Sequence, residues 1–176
     1  MEVPDEYPWI MLAAALICFE CLVVGFAVGG GKRRALFSAQ ALNRKFGDEH
    51  FKYFKSQIPG DGYPDHGNGY YSSYLTFKDW FEFNIDQRIH KNFLETLTVT
   101  IVNLLVLGLL NGQAALICGV LIFTGRLVYT VGYKVSVNGR LFGVTIVFLS
   151  IIYMFGANCF YLYQAISDIP DKPVTA

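Results

Sequence analysis

Residues 83–95 read FNIDQRIHKNFLE and carry the chain from a polar, aromatic-rich segment into a long apolar run. Arg88, Asn92 and Glu95 are spaced i, i+4 and i+7, so a helix places them on one face, with His90 pointing away from it. Ionisable side chains are costly where a helix enters lipid, and those that occur there are functional candidates. The stretch therefore predicts a membrane helix with a polar binding face.

The composition of the whole chain is that of a membrane protein. Its 176 residues are 53% hydrophobic and 16% charged, and the mean hydropathy is +0.38. The 14 basic and 14 acidic residues cancel. No net positive field therefore indicates nucleic acid as a partner.

Four apolar runs are each long enough to cross a hydrocarbon core of roughly 30 Å. They cover residues 8–31, 92–110, 114–133 and 141–166. The connections after the second and third runs are short, so we expect these helices to be antiparallel to their neighbours. The sequence thus predicts a single all-α domain over residues 1–176, an integral membrane four-helix bundle in up-down-up-down order.

The basic residues predict the orientation of that bundle. Ten of them lie between Lys32 and Lys91, and two more, Lys134 and Arg140, lie in the third connection on the same side of the membrane. Lys172 lies on the opposite side. The positive-inside rule therefore places both long connections on the cytoplasmic or matrix side, with the two termini opposite.

The first long connection, residues 35–87, is polar but contains thirteen aromatic residues. Residues 40–58 place apolar side chains at roughly helical spacing, which predicts an amphipathic helix in the membrane interface. Residues 59–68 are rich in Gly, Pro, Asp and Asn and predict a loop. So many aromatic side chains exceed what a passive linker needs, which leaves three interpretations open: the insert lies over the membrane face, covers a pocket or docks a partner.

Two patterns resemble metal or redox sites, but each has a simpler interpretation. Asp61, Asp65 and His66 share the loop, where such residues are usually solvated. Cys18 and Cys21 form a CxxC inside an apolar run, where cysteines usually pack as small hydrophobic residues. We therefore predict no metal site and no reactive cysteine pair.

The distinctive polar residues cluster toward the positive side of the four runs. They close the first run, open the second, end the third and open the fourth: Arg33, Arg34, Arg88, Asn92, Glu95, Arg126, Tyr129, Tyr133 and Arg140. Arginine binds carboxylates through paired N–H donors, and a glutamate can hold an ammonium group. An arginine near a thiol also lowers the thiol pKa from about 8.5. Together these residues suit a small zwitterionic ligand.

Each of these residues also has a structural interpretation. Arg33 and Arg34 are ordinary anchors on the positive side, and tyrosines are common at membrane interfaces. Glu20 lies near the middle of the first run and must face protein or water, so Arg126 is its expected partner. The residues alone therefore predict a four-helix membrane protein with a polar pocket.

In its motifs the chain resembles the membrane-associated proteins in eicosanoid and glutathione metabolism, the MAPEG family, which includes the microsomal glutathione transferases. The motifs are KRRA at 32–35, RxHxNxxE at 88–95, AALxCG at 114–119 and GRLxYxxGY at 125–133. Arg140 follows at the spacing of the arginine that activates the thiolate in this family.

The resemblance implies a homotrimer that uses glutathione to attack lipophilic electrophiles, as a transferase or peroxidase of the endoplasmic reticulum or a mitochondrial membrane. It implies that Arg140 stabilises the glutathione thiolate and that Arg34 assists at the electrophile. The residues that it places in contact with glutathione are Arg33, Arg88, His90, Asn92, Glu95, Arg126, Tyr129 and Tyr133.

Two features depart from the family pattern. Thr96 stands where glutathione-binding members have a tyrosine, and the connection between Arg34 and Arg88 is longer than usual. These departures favour an alternative, a non-catalytic accessory subunit of a larger membrane complex, such as a mitochondrial respiratory complex, that docks through residues 35–87. The sequence leaves open whether the protein is an enzyme.

Overall fold

In a computed structural model the chain is all-α, as predicted, and the residues that the structure describes, 3–60 and 65–168, contain no β-strand. The α-helices are α1 (Tyr7–Val24), α2 (Gly31–Leu36), α3 (Ala39–Phe54), α4 (Phe77–Leu110), α5 (Gly112–Val135) and α6 (Arg140–Ser167). A π-helical turn, Gly25–Gly30, joins α1 to α2, and a 3-10 turn, Tyr70–Tyr74, precedes α4.

Four helical stretches of the described chain are long and apolar enough to cross a membrane, which makes this an integral membrane protein. They are Tyr7–Leu36, Phe77–Leu110, Gly112–Val135 and Arg140–Ser167. Helix α4 begins at Phe77, well before the predicted run of residues 92–110, because Thr76 caps it. The Thr76 Oγ1 accepts a hydrogen bond from the Asp79 backbone N–H at 3.2 Å and donates one to the Asp79 carboxylate at 2.7 Å.

The chain divides into two compact units. The first unit combines Met1–Glu20 with Glu95–Ala176, and the second unit is Cys21–Leu94. The first therefore holds most of α1, the second half of α4, and all of α5 and α6. The second holds α2, α3 and the first half of α4.

Glycines bring α5 and α6 into backbone contact in the first unit. A Cβ atom on Gly143 of α6 would lie 2.2 Å from the Tyr129 backbone nitrogen of α5. Farther along, a Cβ on Gly132 would lie 2.3 Å from the Gly139 carbonyl oxygen. Because membrane helices gain little from apolar burial, such close backbone packing at small residues is a main source of their association.

Side-chain amides tie α6 to α4 and to the turn between α4 and α5. The Asn158 Nδ2 of α6 donates hydrogen bonds of 3.0 Å to both the backbone oxygen and the side-chain oxygen of Asn103 in α4. Asn111 caps α5 by accepting from the Ala114 N–H at 3.1 Å, and it donates to the Tyr161 hydroxyl at 2.9 Å. Interhelical hydrogen bonds of this kind contribute about 0.6–2 kcal/mol each within a membrane.

The N-terminal half of α1 packs on α4 and α5. Ile10 lies against Gly108 of α4, and Ala13 lies against Gly119 of α5, where a Cβ on either glycine would meet the α1 side chain at 3.2 and 3.1 Å. Parts of all four long helices therefore meet in the first unit. The up-down-up-down bundle as a whole stays a prediction.

The second unit has an aromatic core of its own, formed by Phe37, Leu42, Phe46, Ile58 and Phe83. The helix predicted within residues 40–58 is present as α3, and it ends where Lys55 adopts a left-handed φ of 55°. Its Phe51 and Phe54 are 54% and 69% exposed rather than buried. The described residues within 35–87 therefore form a folded element with an exposed aromatic surface.

Asp65 organises the loop that leads to the 3-10 turn. The residue is only 3% exposed. Its carboxylate accepts hydrogen bonds of 2.7–3.3 Å from the backbone amides of Gly67, Gly69, Tyr71 and Ser72. The Arg33 guanidinium donates to its carbonyl oxygen. Asp61 lies outside the described residues, and among those described no group of three His, Cys, Asp or Glu residues could hold a metal ion. Asp65 therefore has a structural role in this loop.

The contact between α5 and α6 generates a prediction. We expect Gly143→Ala to lower the free energy of unfolding by about 1–3 kcal/mol, because the new methyl group would collide with backbone that cannot move aside. Gly156→Ala is the matched control, since nothing lies within 4 Å of its Cβ position on the same helix. Thermal unfolding in detergent, followed by circular dichroism, measures both. Equal stability of the two variants would contradict the importance of this contact.

Candidate functional site

The polar residues predicted at the end of the third run lie on the buried face of α5. Arg126, Tyr129 and Tyr133 are 2%, 3% and 7% exposed. Their spacing continues the stripe of buried residues along this helix. The rings of Tyr129 and Tyr133 meet edge to face, with centroids 5.7 Å apart and an interplanar angle of 70°. The helix therefore presents one guanidinium and two phenols along a single line.

Arg140, the first residue of α6, lies beside Tyr133 at the end of that line. Its Nη1 donates a hydrogen bond of 3.1 Å to the Tyr133 hydroxyl, and its guanidinium carbon lies 4.9 Å from the centroid of the same ring. The ring face attracts the positive charge, so both contacts hold the guanidinium in place. Within the described residues its other nitrogens donate no hydrogen bond, and they are available to a ligand.

Arg126 is held by Thr96, one of the two departures from the family pattern. Its guanidinium donates to the hydroxyl of Thr96 on α4, the position where a tyrosine was expected. Thr96 follows Asn92 by four residues and so shares its helix face, but no sequence pattern pairs it with Arg126. A threonine here thus supports the buried arginine.

Glu20 and Arg126, predicted as partners, interact through their charges. The positive charge of Arg126 acts on the Glu20 carboxyl group. Glu20 is 6% exposed, and neither of its carboxylate oxygens accepts a hydrogen bond within the described residues. The interaction therefore acts through space and does not use the geometry of a hydrogen-bonded ion pair.

The residues of the opening stretch lie in the interior of one continuous helix, α4. Asn92 is 9% exposed, whereas Arg88 and Glu95 are exposed. His90 packs against the π-helical turn, where a Cβ on Gly25 would lie 2.8 Å from its Nε2 atom. The glycine therefore makes room for the imidazole, and His90 has a packing role in the second unit.

Arg33 and Arg34, on α2, differ in their surroundings. Arg33 is partly buried and donates to the Asp65 carbonyl oxygen, whereas Arg34 is exposed. Beside them, the Lys32 ammonium forms an ion pair of 2.6 Å with Glu82 of α4, a contact that the sequence analysis missed. A lysine and a glutamate 50 residues apart carry no local signal of their pairing.

The predicted site residues are divided between the two units. In the first unit, Tyr129, Tyr133 and Arg140 form one connected group across α5 and α6, and Arg126 lies on the same buried face of α5. In the second unit, Arg33 and Arg34 share α2, and three more predicted residues share α4: Arg88, His90 and Asn92. The assembly of these groups into one glutathione pocket stays a prediction.

The sequence matches the profile of the MAPEG family over residues 10–160. The chain belongs to the MAPEG family. The match reaches into all four membrane-crossing helices of this MAPEG protein. No curated protein matches it.

The contact of Arg126 with Thr96 can be tested by removing the acceptor. We expect Thr96→Val, which keeps the shape of the side chain, to destabilise the protein by about 1–3 kcal/mol because a buried guanidinium loses a hydrogen bond. Thr98→Val is the matched control, since Thr98 lies on the same helix and is exposed. Chemical denaturation in mixed micelles compares the two variants, and a loss of stability as large for Thr98→Val would refute the assignment.

Proposed function

We propose that this MAPEG protein is a glutathione-dependent transferase or peroxidase that acts on lipophilic electrophiles entering from the bilayer. The observation that carries the proposal is the Arg140 guanidinium, held against Tyr133 with donors available to a ligand. The family match and the buried Tyr129 beside this pair also support it.

Arg140 and Tyr133 are suited to stabilising a thiolate. A guanidinium does not lose its proton at physiological pH, so its positive charge favours the ionised form of a nearby thiol and lowers the thiol pKa from about 8.5. Because the Tyr133 oxygen accepts a hydrogen bond from Arg140, the phenol proton is left to donate to sulfur. Both groups favour the nucleophilic form of glutathione over the neutral thiol.

The remaining predicted residues would bind the tripeptide. Arginine side chains match its two carboxylates, and Glu95 matches its ammonium group. The proposed contacts are Arg33, Arg88, His90, Asn92, Glu95, Arg126, Tyr129 and Tyr133. In the homotrimer that we propose, glutathione lies between neighbouring subunits near the cytoplasmic or matrix face of an endoplasmic reticulum or mitochondrial membrane.

Both reactions balance with glutathione as the co-substrate. In the transferase reaction a carbon–sulfur bond forms, and the leaving group or the opened epoxide oxygen takes the electron pair. In the peroxidase reaction the thiolate sulfur attacks the peroxide and the O–O bond breaks, which gives a glutathione sulfenic acid and, after protonation, an alcohol. A second glutathione then displaces water from the sulfenic acid and forms the disulfide. Arg34 is exposed at the end of α2, where we propose that it stabilises negative charge on the departing oxygen or leaving group.

The role of Arg140 is tested by Arg140→Ala. We expect the rate of conjugation at pH 7 to fall by at least about tenfold, and its pH profile to move toward about pH 8.5, because the thiol loses its stabilising charge. Arg44→Ala is the control, since Arg44 is an exposed arginine of α3 outside the proposed site. An unchanged pH profile, or a wild-type protein that neither binds nor conjugates glutathione, would refute the proposed chemistry.

A second function, an accessory subunit of a larger membrane complex, is favoured by the insert. Residues 35–87 fold around a core of their own, and Tyr53, Phe54 and Tyr70 on their surface are 68%, 69% and 65% exposed. Exposed aromatic clusters of this kind are typical of surfaces that meet partners. The insert would then be the docking element.

The two functions differ in the assembly that they require. For the enzyme we expect extraction from native membranes in a mild detergent to yield a homotrimer of 19.8 kDa chains on native gels. Migration of the entire population within a larger complex, together with the absence of glutathione binding, would instead establish the accessory role. A chain tagged at its N-terminus serves as the size standard when it is expressed alone.

A further inference from the structure

The exposed side of the insert contains a cavity walled by aromatic rings. The cavity has a volume of about 270 Å³, and its rings come from α3 and the 3-10 turn: Phe46, Tyr53, Phe54, Tyr70 and Tyr71. Phe46 anchors the wall, with its centroid 5.4 Å from that of Tyr70 and 5.3 Å from that of Tyr71. Pockets for drug-sized ligands usually measure about 300–1,000 Å³. This one suits a small group.

The charge of the cavity is negative. Glu49 lines it and accepts a hydrogen bond of 2.9 Å from the Tyr70 hydroxyl. This hydrogen bond and the charge of Glu49 raise the pKa of the Tyr70 phenol, which therefore stays neutral. His50 also lines the cavity, stacked on Phe54 at 4.8 Å. Among the described residues no lysine or arginine lines it.

One wall already contacts a cation. The Lys52 ammonium lies 5.6 Å from the centroid of the Tyr53 ring, within the distance at which a positive charge is attracted to a ring face. Several such faces around one carboxylate form an environment that selects positive charge. An apolar ligand would gain from the rings but would leave Glu49 without a charge partner.

From these contacts we propose that the cavity binds a quaternary ammonium group of the choline type. A primary ammonium has three N–H donors to satisfy, whereas the cavity offers mainly ring faces and a carboxylate already engaged by Tyr70. A quaternary ammonium has no such donors, loses little on leaving water and gains from every ring.

The position of the cavity in the chain points to the membrane surface as a source of this group. Helix α3 begins at Ala39, just after the first membrane-crossing stretch ends at Leu36. Phosphatidylcholine headgroups are therefore one candidate source of the ligand, and soluble choline compounds are the other. The two sources share the trimethylammonium group that the cavity recognises.

The charge requirement is tested with the full chain in a maltoside detergent, which has no ammonium group. Saturation-transfer NMR compares the methyl protons of choline with those of its neutral tert-butyl analogue. We expect saturation transfer to choline and much less to the analogue. The two compounds have similar shapes, but only choline has the positive charge that the ring faces attract. Equal transfer to both compounds, or none to choline, overturns the proposal.

Variants locate the site. We expect Tyr53→Leu to weaken choline binding by about two- to fivefold, the loss of one ring face, and Glu49→Gln to weaken it as well. Phe51→Leu is the matched control, since Phe51 is an exposed aromatic residue of α3 that does not line the cavity. Loss of binding in all three variants, or in none, overturns the assignment to this cavity.

Lipid discs identify the source of the ligand. The chain is reconstituted in equal amounts of phosphatidylcholine and phosphatidylglycerol with the same acyl chains, and native mass spectrometry measures the lipids that remain bound. Preferential retention of phosphatidylcholine that Tyr53→Leu abolishes supports a headgroup site. Choline binding without such retention supports a soluble ligand. Absence of both overturns the proposal.

Discussion

The backbone contact between α5 and α6 determines the geometry of the first unit. Gly143 lies so close to the Tyr129 backbone that no side chain fits between them, and Gly132 and Gly139 repeat the contact nearer the connection. Because the two helices are fixed there, the start of α6 returns to the end of α5. Arg140 can then lie over Tyr133. The contact that joins the helices thus also positions the proposed thiolate-stabilising group.

Buried polar groups place a second constraint on this membrane protein. A charge or amide in an apolar medium is costly unless a partner offsets the loss of water. Arg126 contacts Thr96, and Asn158 donates twice to Asn103. Glu20 is buried near the charge of Arg126 but accepts no hydrogen bond within the described residues. These polar groups restrict how the helices can pack, because a shift of one helix would separate its partners.

The insert is stabilised by different interactions from those that join the membrane helices. Its core is built from aromatic rings around Phe46 and Phe83, as in a small soluble domain. In the loop before the 3-10 turn, the Asp65 carboxylate accepts the backbone hydrogen bonds that a helix or strand would otherwise satisfy. Burial of the inner rings leaves Tyr53 and Phe54 exposed. The same aromatic composition therefore supplies both the stability of the insert and the wall of the cavity.

The sequence by itself determined the all-α class, the four apolar runs and the family, since hydropathy over about 20 residues and motifs such as RxHxNxxE are local properties. It also predicted Tyr129, Tyr133 and Arg140 as site residues, and these three lie close together in the sequence. Only the tertiary structure decided that Thr96 holds Arg126, that Asp65 organises a loop and that Glu49 and Tyr70 share a cavity. The contacts of Thr96 and Glu49 join side chains from separate helices or turns, and the Asp65 carboxylate accepts backbone amides up to seven residues away, so they depend on how the chain packs.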